Sequence, residues 1–299
     1  MKGKLLFLGC NHNQIPYLKA INKNEWNIVG VDLNKNAPGK DVCDKFYNVG
    51  YDNLEGLIDV GLKENFTSAD KVFTAASQFS HKGAAHFSSF FGISYPPEKS
   101  IDLCLNKVTY YDYFTNNDIP IPKTWKIKDE DNLKTVIREQ RSSYYYLKSD
   151  YSKNPRYVYQ FHSSSVPWEN FFWGKDRYLR DYYLLQEEAK GVSLRLNIFG
   201  KRFNVFDFQT GLKTDLYKDH ILSLNIIKTL ENFLANQNMT NWLVKFDIIL
   251  GNDEYFVLDV GIDPPSRMLK LSKENKVNFE KYYVAQYLYG NIDYPSLLD

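Results

Sequence analysis

Two aspartates, Asp247 and Asp259, are the residues of this chain with the clearest chemical potential. Both fall in the segment 243–260, whose two apolar runs are separated by the turn sequence 251–254, a pattern typical of a β-hairpin. A carboxylate such as that of Asp247, inside a mostly apolar strand, is costly unless it is paired or bound to a metal ion. Since Mg²⁺ prefers carboxylate oxygens, we predict that the two aspartates bind magnesium.

The hairpin must have a particular register for this role. Opposing residues of antiparallel strands share a face, and a slip of one residue turns one of them away. A four-residue loop over 251–254 would pair residue 247 with residue 258, whereas a three- or five-residue loop would pair it with residue 259. We therefore predict an odd number of loop residues.

A second group of polar residues supplies what a triphosphate requires. Lys107 and Lys148 lie at a predicted helix and a predicted strand, and a further strand runs into the sequence Gln186-Glu187-Glu188-Ala189. Cations contact phosphates, backbone groups at a hinge read adenine, and carboxylates hold magnesium. Each lysine alone is more often a solvated surface residue, and 186–188 alone could be a polar strand end. Their order along the chain favours a nucleotide site, more so for Lys148 than for Lys107.

The elements that position these residues begin with an α/β unit. The first hundred residues alternate short apolar runs with amphipathic ones, as parallel-sheet proteins do. We predict strands at 4–9, 26–31, 71–75, 144–148, 183–187, 193–199 and 202–209, and helices at 15–22, 54–62, 100–115 and 220–236. The first three strands would end at Gly9, Asp32 and Thr74 along one ligand-facing edge.

That edge has a partial dinucleotide-binding signature. Gly9 follows the first strand, and Asp32 lies 32 − 9 = 23 residues further on. The second and third glycines of the signature, which let the backbone and the helix approach a pyrophosphate, are absent. A similar sheet that binds no dinucleotide is therefore the favoured interpretation.

In the order of these parts the sequence resembles the ATP-grasp superfamily, in its carboxylase-like, carboxylate–amine ligase branch, over essentially the whole chain. The matching segments are Val31-Asp32-Leu33-Asn34, Thr74-Ala75-Ala76-Ser77, Asn106-Lys107, residues 117–122, Tyr146-Leu147-Lys148-Ser149, residues 184–191, Lys245-Phe246-Asp247 and Leu258-Asp259-Val260. The resemblance implies an α/β fold, α+β in its C-terminal part. It comprises a Rossmann-like pre-ATP-grasp domain at 1–106, a small lid subdomain at 107–187 and a large subdomain at 188–299 that carries the hairpin.

The resemblance also implies a role for each matching residue. ATP would be bound by Lys107, Lys148, Ser152, Gln186, Glu187, Ala189 and Ser193. Magnesium would be bound by Asp247, Asp259 and, as a third oxygen ligand, Asp263. The residues that act on phosphate or on the acid substrate would be Lys245, Arg195 and Arg267.

Three positions depart from the family pattern. The loop 149–156 contains no glycine, although Ser152, Lys153 and Arg156 could substitute side-chain donors for backbone ones. The usual ribose-contacting glutamate falls at Ser193, and the usual asparagine after the second metal ligand falls at Gly261. Asp263, as a third oxygen ligand, and Arg267, as a phosphate or carboxylate clamp, would compensate for these losses.

The implied reaction joins a small-molecule carboxylic acid to an amine-type acceptor. ATP phosphorylates the acid to an acylphosphate, and the acceptor captures it with release of ADP and phosphate. The departures leave two alternatives, a nucleotide-binding protein that has lost catalysis and a kinase that stops at phosphoryl transfer. A homodimer is compatible with each.

The composition narrows the range of partners. The chain has 299 residues, with 37 Lys plus Arg against 36 Asp plus Glu and a formal net charge of +1. No overall field therefore favours nucleic acid or an anionic membrane surface. No stretch approaches the roughly 20 apolar residues of a membrane span, and three scattered cysteines form no disulfide or zinc pattern. We expect a cytoplasmic protein with reduced cysteines.

Overall fold

Three four-stranded sheets form the framework of the part of the protein that the structure, a computed structural model, describes. The structure describes residues 2–140, 142–149, 158–166, 183–199, 202–207, 214, 223–264, 276 and 278–290. The strands are β1 (Gly3–Leu8), β2 (Trp26–Val31), β3 (Lys45–Tyr47), β4 (Lys71–Thr74), β5 (Thr124–Ile127), β6 (Tyr144–Ser149), β7 (Val158–His162), β8 (Tyr183–Glu187), β9 (Val192–Phe199), β10 (Arg202–Asp207), β11 (Leu243–Leu250) and β12 (Tyr255–Gly261). The α-helices are α1 (Ile15–Ala20), α2 (Leu54–Lys63), α3 (Ser80–Phe91), α4 (Glu98–Leu105), α5 (Lys107–Asn116), α6 (Glu130–Gln140), α7 (Ser223–Asn236) and α8 (Phe279–Tyr289).

The first sheet is parallel, with the order β3-β2-β1-β4, and has helices on both faces. Leu5 and Phe7 of β1 pack against α1 and α8, whereas Leu6 and Leu8 pack against α2 and α3. Both faces are buried, which is why β1 and β2 are almost continuously apolar. The Rossmann-like, α/β interpretation of this part is confirmed.

Helix α8 returns from the C-terminal third of the chain to complete the first sheet. The Phe73 ring of β4 lies 5.7 Å from the Tyr283 ring and 5.0 Å from the Tyr287 ring. This helix falls inside the predicted large subdomain, yet its core contacts are with the first sheet. The domain boundaries stay predictions.

The second and third sheets are antiparallel, with the orders β5-β8-β6-β7 and β10-β9-β11-β12. Helices α5 and α7 cover the third sheet. Their rings meet at Phe114 and Phe233, 5.4 Å apart, and Phe233 contacts Phe246 of β11 at 5.8 Å. Antiparallel sheets with helices on one side give this half the predicted α+β character.

The single helix predicted over 100–115 is in fact two. Asn106, between α4 and α5, has extended backbone angles, φ −108° and ψ 115°. Its side chain accepts a hydrogen bond from the backbone N–H of Thr109 at 3.0 Å, so it caps a new helix. The break places Lys107 at the first position of α5.

Gly30 of β2 lies beside the sulfur atoms of Cys10 and Cys43, which are free thiols with their Sγ atoms 3.9 Å apart. A Cβ atom at residue 30 would lie 2.4 Å from Sγ of Cys43 and 3.0 Å from Sγ of Cys10. We expect Gly30→Ala to lower the free energy of unfolding by about 1–3 kcal/mol, measured by urea denaturation. Adding Cys43→Ala removes the nearer sulfur and should restore part of the loss. An undiminished loss in the double variant would contradict this explanation.

Candidate functional site

The hairpin of β11 and β12 brings Asp247 and Asp259 opposite each other. The loop between the strands spans four residues, 251–254, so the prediction of an odd loop is wrong. The pairs Leu250–Tyr255 and Ile248–Val257 follow the register of a four-residue loop, and a bulge then shifts the register before Asp247. Leu258 is the additional residue on β12. A β-bulge therefore restores the alignment that loop length alone would have lost.

Each aspartate of the site is held by a cation. Arg195 of β9, which pairs in register with Asp247, donates from Nε to Oδ1 at 2.6 Å and from Nη2 to Oδ2 at 2.7 Å. Burial alone would lower the pKa of Arg195, but its bond to Asp247 outweighs burial and raises that pKa. The pair is thus a bidentate, charge-assisted contact.

Asp259 is bound through one oxygen. Its Oδ1 atom accepts from Nζ of Lys107 at 3.0 Å, from the Tyr110 hydroxyl at 2.8 Å and from the backbone N–H of Val260 at 3.1 Å. Burial alone would raise the pKa of Asp259, but the charge and hydrogen bond of Lys107 and the bond from Tyr110 hold it at about 2. The side chain is 40% exposed. Within the described part of the chain, no donor reaches Oδ2.

Lys148 of β6 lies close enough to Lys107 and Asp259 for their charges to affect its pKa. Its Nζ atom donates to Oε1 of Gln186 at 2.5 Å and lies 3.5 Å from the Tyr111 hydroxyl. Burial and the neighbouring charge of Lys107 lower the pKa of Lys148 to about 8, against the opposing effect of Asp259. A phosphate bound next to Lys148 would favour its charged form and raise its pKa.

Two of the predicted hinge residues form hydrogen bonds with residues in or next to the second sheet. The Gln186 side chain, in a residue 2% exposed, is turned to Lys148, and the backbone N–H of Glu187 donates to the carbonyl of Lys123 at 2.9 Å. Ala189 follows β8 and is half-buried. Their adenine-binding role stays a prediction.

Four of the predicted site residues line one cavity of about 110 Å³, together with Val260 and Gly261. The four are Arg195, Lys245, Asp247 and Asp259. Nζ of Lys245 pairs with Asp263 at 2.9 Å, and the lysine stem covers Gly261, where a Cβ would lie 2.4 Å from Cε of Lys245. The lysine therefore occupies the space that a side chain at position 261 would need.

Other predicted residues are placed elsewhere. Ser193 lies two positions before Arg195 on β9 and so on the same face of the sheet. Ser152 and Arg267, with Lys153 and Arg156, lie outside the described residues. The sequence analysis missed Tyr110 and Tyr111, which follow Lys107 by three and four positions and therefore share its helix face. That spacing is the signal that could have identified them.

Magnesium is compatible with the two opposed aspartates. In the described ranges no cluster of three or more His, Cys, Asp and Glu side chains is arranged to hold a metal ion. Asp263 instead pairs with Lys245. Mg²⁺ needs only one or two carboxylates when phosphates and water complete its coordination, and the cavity has room for several waters. Each oxygen of Asp247 keeps a second lone pair beyond the one that Arg195 uses.

Asp32, at the edge of the first sheet, is engaged locally. Its Oδ2 atom accepts from the backbone N–H of Cys10 at 2.7 Å, and its Oδ1 atom accepts from that of Asn34 at 2.8 Å. Both oxygens therefore stabilise the loops after β1 and β2.

The chain has the ATP-grasp fold. It resembles N5-carboxyaminoimidazole synthetase from Staphylococcus aureus complexed with ADP, with a TM-score of 0.74, 11% identity and coverage of 98% of this chain and 79% of that one. It resembles L-amino acid ligase from Bacillus licheniformis, with a TM-score of 0.68, 11% identity and coverage of 97% and 75%. The biotin carboxylase domain of Hydrogenobacter thermophilus 2-oxoglutarate carboxylase, in complex with MgADP and bicarbonate, matches with a TM-score of 0.70, 13% identity and coverage of 98% and 71%.

Sequence comparison adds no assignment to this likeness of fold. No protein-family model matches the chain, and no curated protein matches it. Among the described residues, none of the helices combines the length and the apolar character needed to cross a bilayer.

Proposed function

We propose that the protein is an ATP-dependent ligase that joins a carboxylic acid to an amine or a related nucleophile through an acylphosphate. The observation that carries the proposal is the meeting of Asp247 and Asp259 across a bulged hairpin, each paired with a cation, beside the half-buried Lys148. The solved structures of similar fold, which include a ligase of amino acids and two proteins bound to ADP or MgADP, support it.

The site's own charges suit this reaction. Asp259 is ionised at neutral pH because its pKa is about 2, and together with Asp247 it would hold magnesium. Lys107 and Lys148 would exchange their present partners for phosphate oxygens. ATP would supply the phosphoryl group, and the magnesium ion would neutralise charge on the phosphate oxygens.

Arg195 is the described residue best suited to the acid substrate. Its fork already binds one carboxylate in a bidentate manner, which is the geometry that recognition of a second carboxylate requires. Metal binding at Asp247 would weaken the present pair. Lys245 is proposed to act on phosphate. Arg267, which lies outside the described residues, is proposed as an alternative partner of the acid.

The test is ADP release by the full chain with ATP and Mg²⁺ across a panel of carboxylic acids and amines. We expect release that requires magnesium, one acid and one acceptor together. Release without dependence on either substrate across the panel would contradict a ligase. ATP binding without turnover would indicate a nucleotide-binding protein, and a phosphorylated acid that accumulates without condensation would indicate a kinase.

A further inference from the structure

The hydroxyl of Tyr111 connects three parts of the site. It donates to the carbonyl of Leu258 at 2.6 Å, and it accepts from Nε2 of Gln186 at 2.9 Å. Nζ of Lys148 lies at 3.5 Å. The residue is 3% exposed. A tyrosine hydroxyl has one proton to donate and two lone pairs, so these contacts use its full capacity.

The carbonyl that Tyr111 binds belongs to the bulge. Leu258 is the additional residue that shifts β12 so that Asp259, rather than Leu258, lies opposite Asp247. A regular ladder through a four-residue loop would pair Asp247 with Leu258 and turn Asp259 to the other face. A bulge leaves its extra residue without a regular ladder partner, so a side-chain donor at this carbonyl favours the bulged form.

We propose that Tyr111 is a positioning residue that fixes the bulge at Leu258 and thereby keeps Asp259 facing Asp247, while it ties this register to Lys148 through Gln186. The proposal rests on the proposed function only for its consequence in magnesium binding. Burial raises the pKa of Tyr111, and the nearby charge of Asp259 raises it further. The hydroxyl therefore stays protonated, and able to donate, throughout the physiological pH range.

The neighbouring tyrosine has a different task. Tyr110 binds the carboxylate of Asp259 itself and lies 3.5 Å from the carbonyl of Leu258. Tyr111 does not contact the carboxylate and acts on it through the backbone. Removing the Tyr111 hydroxyl should change the direction in which the Asp259 side chain points, but it removes no hydrogen-bond donor to the Asp259 carboxylate.

The test compares Tyr111→Phe with Tyr113→Phe. Both variants keep the ring on α5, and Tyr113 packs on Phe114 and Phe233 with a hydroxyl that has no hydrogen-bond partner among the described residues. Hydrogen exchange of ligand-free protein, read on peptides covering 255–261, should be about tenfold faster in Tyr111→Phe and unchanged in Tyr113→Phe. The Mg²⁺ concentration that half-saturates ADP binding should rise about tenfold in Tyr111→Phe alone.

Each outcome of these measurements either supports or contradicts the proposed role of Tyr111. Equal exchange in the two variants would overturn the proposal. An unchanged magnesium requirement of Tyr111→Phe, measured beside a wild-type protein that binds MgADP, would also overturn it. A Tyr111→Phe protein that failed to fold would also overturn it, because the effect is expected to be confined to the hairpin. Absence of MgADP binding by the wild-type chain would refute the proposed function, and the exchange measurement would still decide the role of Tyr111.

Discussion

Asp259→Asn is expected to reduce magnesium-dependent ADP formation by about a hundredfold or more. Loss of a group that merely supports a metal ligand costs about 10–100-fold, and Asp259 is proposed to bind the metal directly. Asparagine keeps the shape of the side chain and can still accept from Tyr110, but it cannot balance the charge of Lys107. The measurement is ADP release against Mg²⁺ concentration.

Asp253→Asn is the matched control. Asp253 is exposed in the turn of the same hairpin and does not line the cavity. Its substitution makes the same chemical change away from the site. It should leave ADP release and its magnesium dependence unchanged. Undiminished release by Asp259→Asn would remove Asp259 from the metal site and with it the main support for the proposed chemistry.

The affinity for ADP is expected to fall about tenfold for each pH unit above 8. Lys148, with a pKa of about 8, is charged below that pH and loses its proton above it. A bound phosphate favours the ammonium form and raises the pKa again, so the complex takes up a proton when it forms above pH 8. Below pH 8 the lysine is protonated in both states and no uptake occurs.

Calorimetry of ADP binding in buffers of different ionisation enthalpy measures this uptake. We expect up to one proton per nucleotide near pH 9, and no such proton in Lys148→Met, whose affinity should also be at least about tenfold lower. Lys190→Met, which alters an exposed lysine just beyond β8, is the control and should behave as wild type. Uptake that persists in Lys148→Met would assign the proton to another group.

Elements with a strong apolar pattern could be predicted from the sequence with their bounds. Strands Trp26–Val31 and Tyr183–Glu187 are as predicted, because each is a short apolar run in a buried sheet position. The facing of Asp247 and Asp259 was also predicted, but through the wrong cause. A count of loop residues contains no information about a bulge, which depends on a donor, Tyr111, more than a hundred residues away.

Non-local contacts and one local helix cap explain the other differences. That Arg195 pairs with Asp247 follows from β9 lying beside β11, and the spacing of the two residues does not reveal that neighbour. The split at Asn106 depends on one side-chain cap within a continuous helical pattern. The sequence of α8 contains large apolar residues on several sides, which indicates burial without naming the sheet that covers it.

The return of α8 to the first sheet has a consequence for protein synthesis. A nascent chain that has emerged through β4 holds all four strands of that sheet, but Phe7 and Phe73 still lack the rings of Phe279 and Tyr283 beside them. About two hundred further residues must leave the ribosome first. The part of this apolar face that α8 covers is therefore exposed during most of translation and offers a surface to which a chaperone can bind.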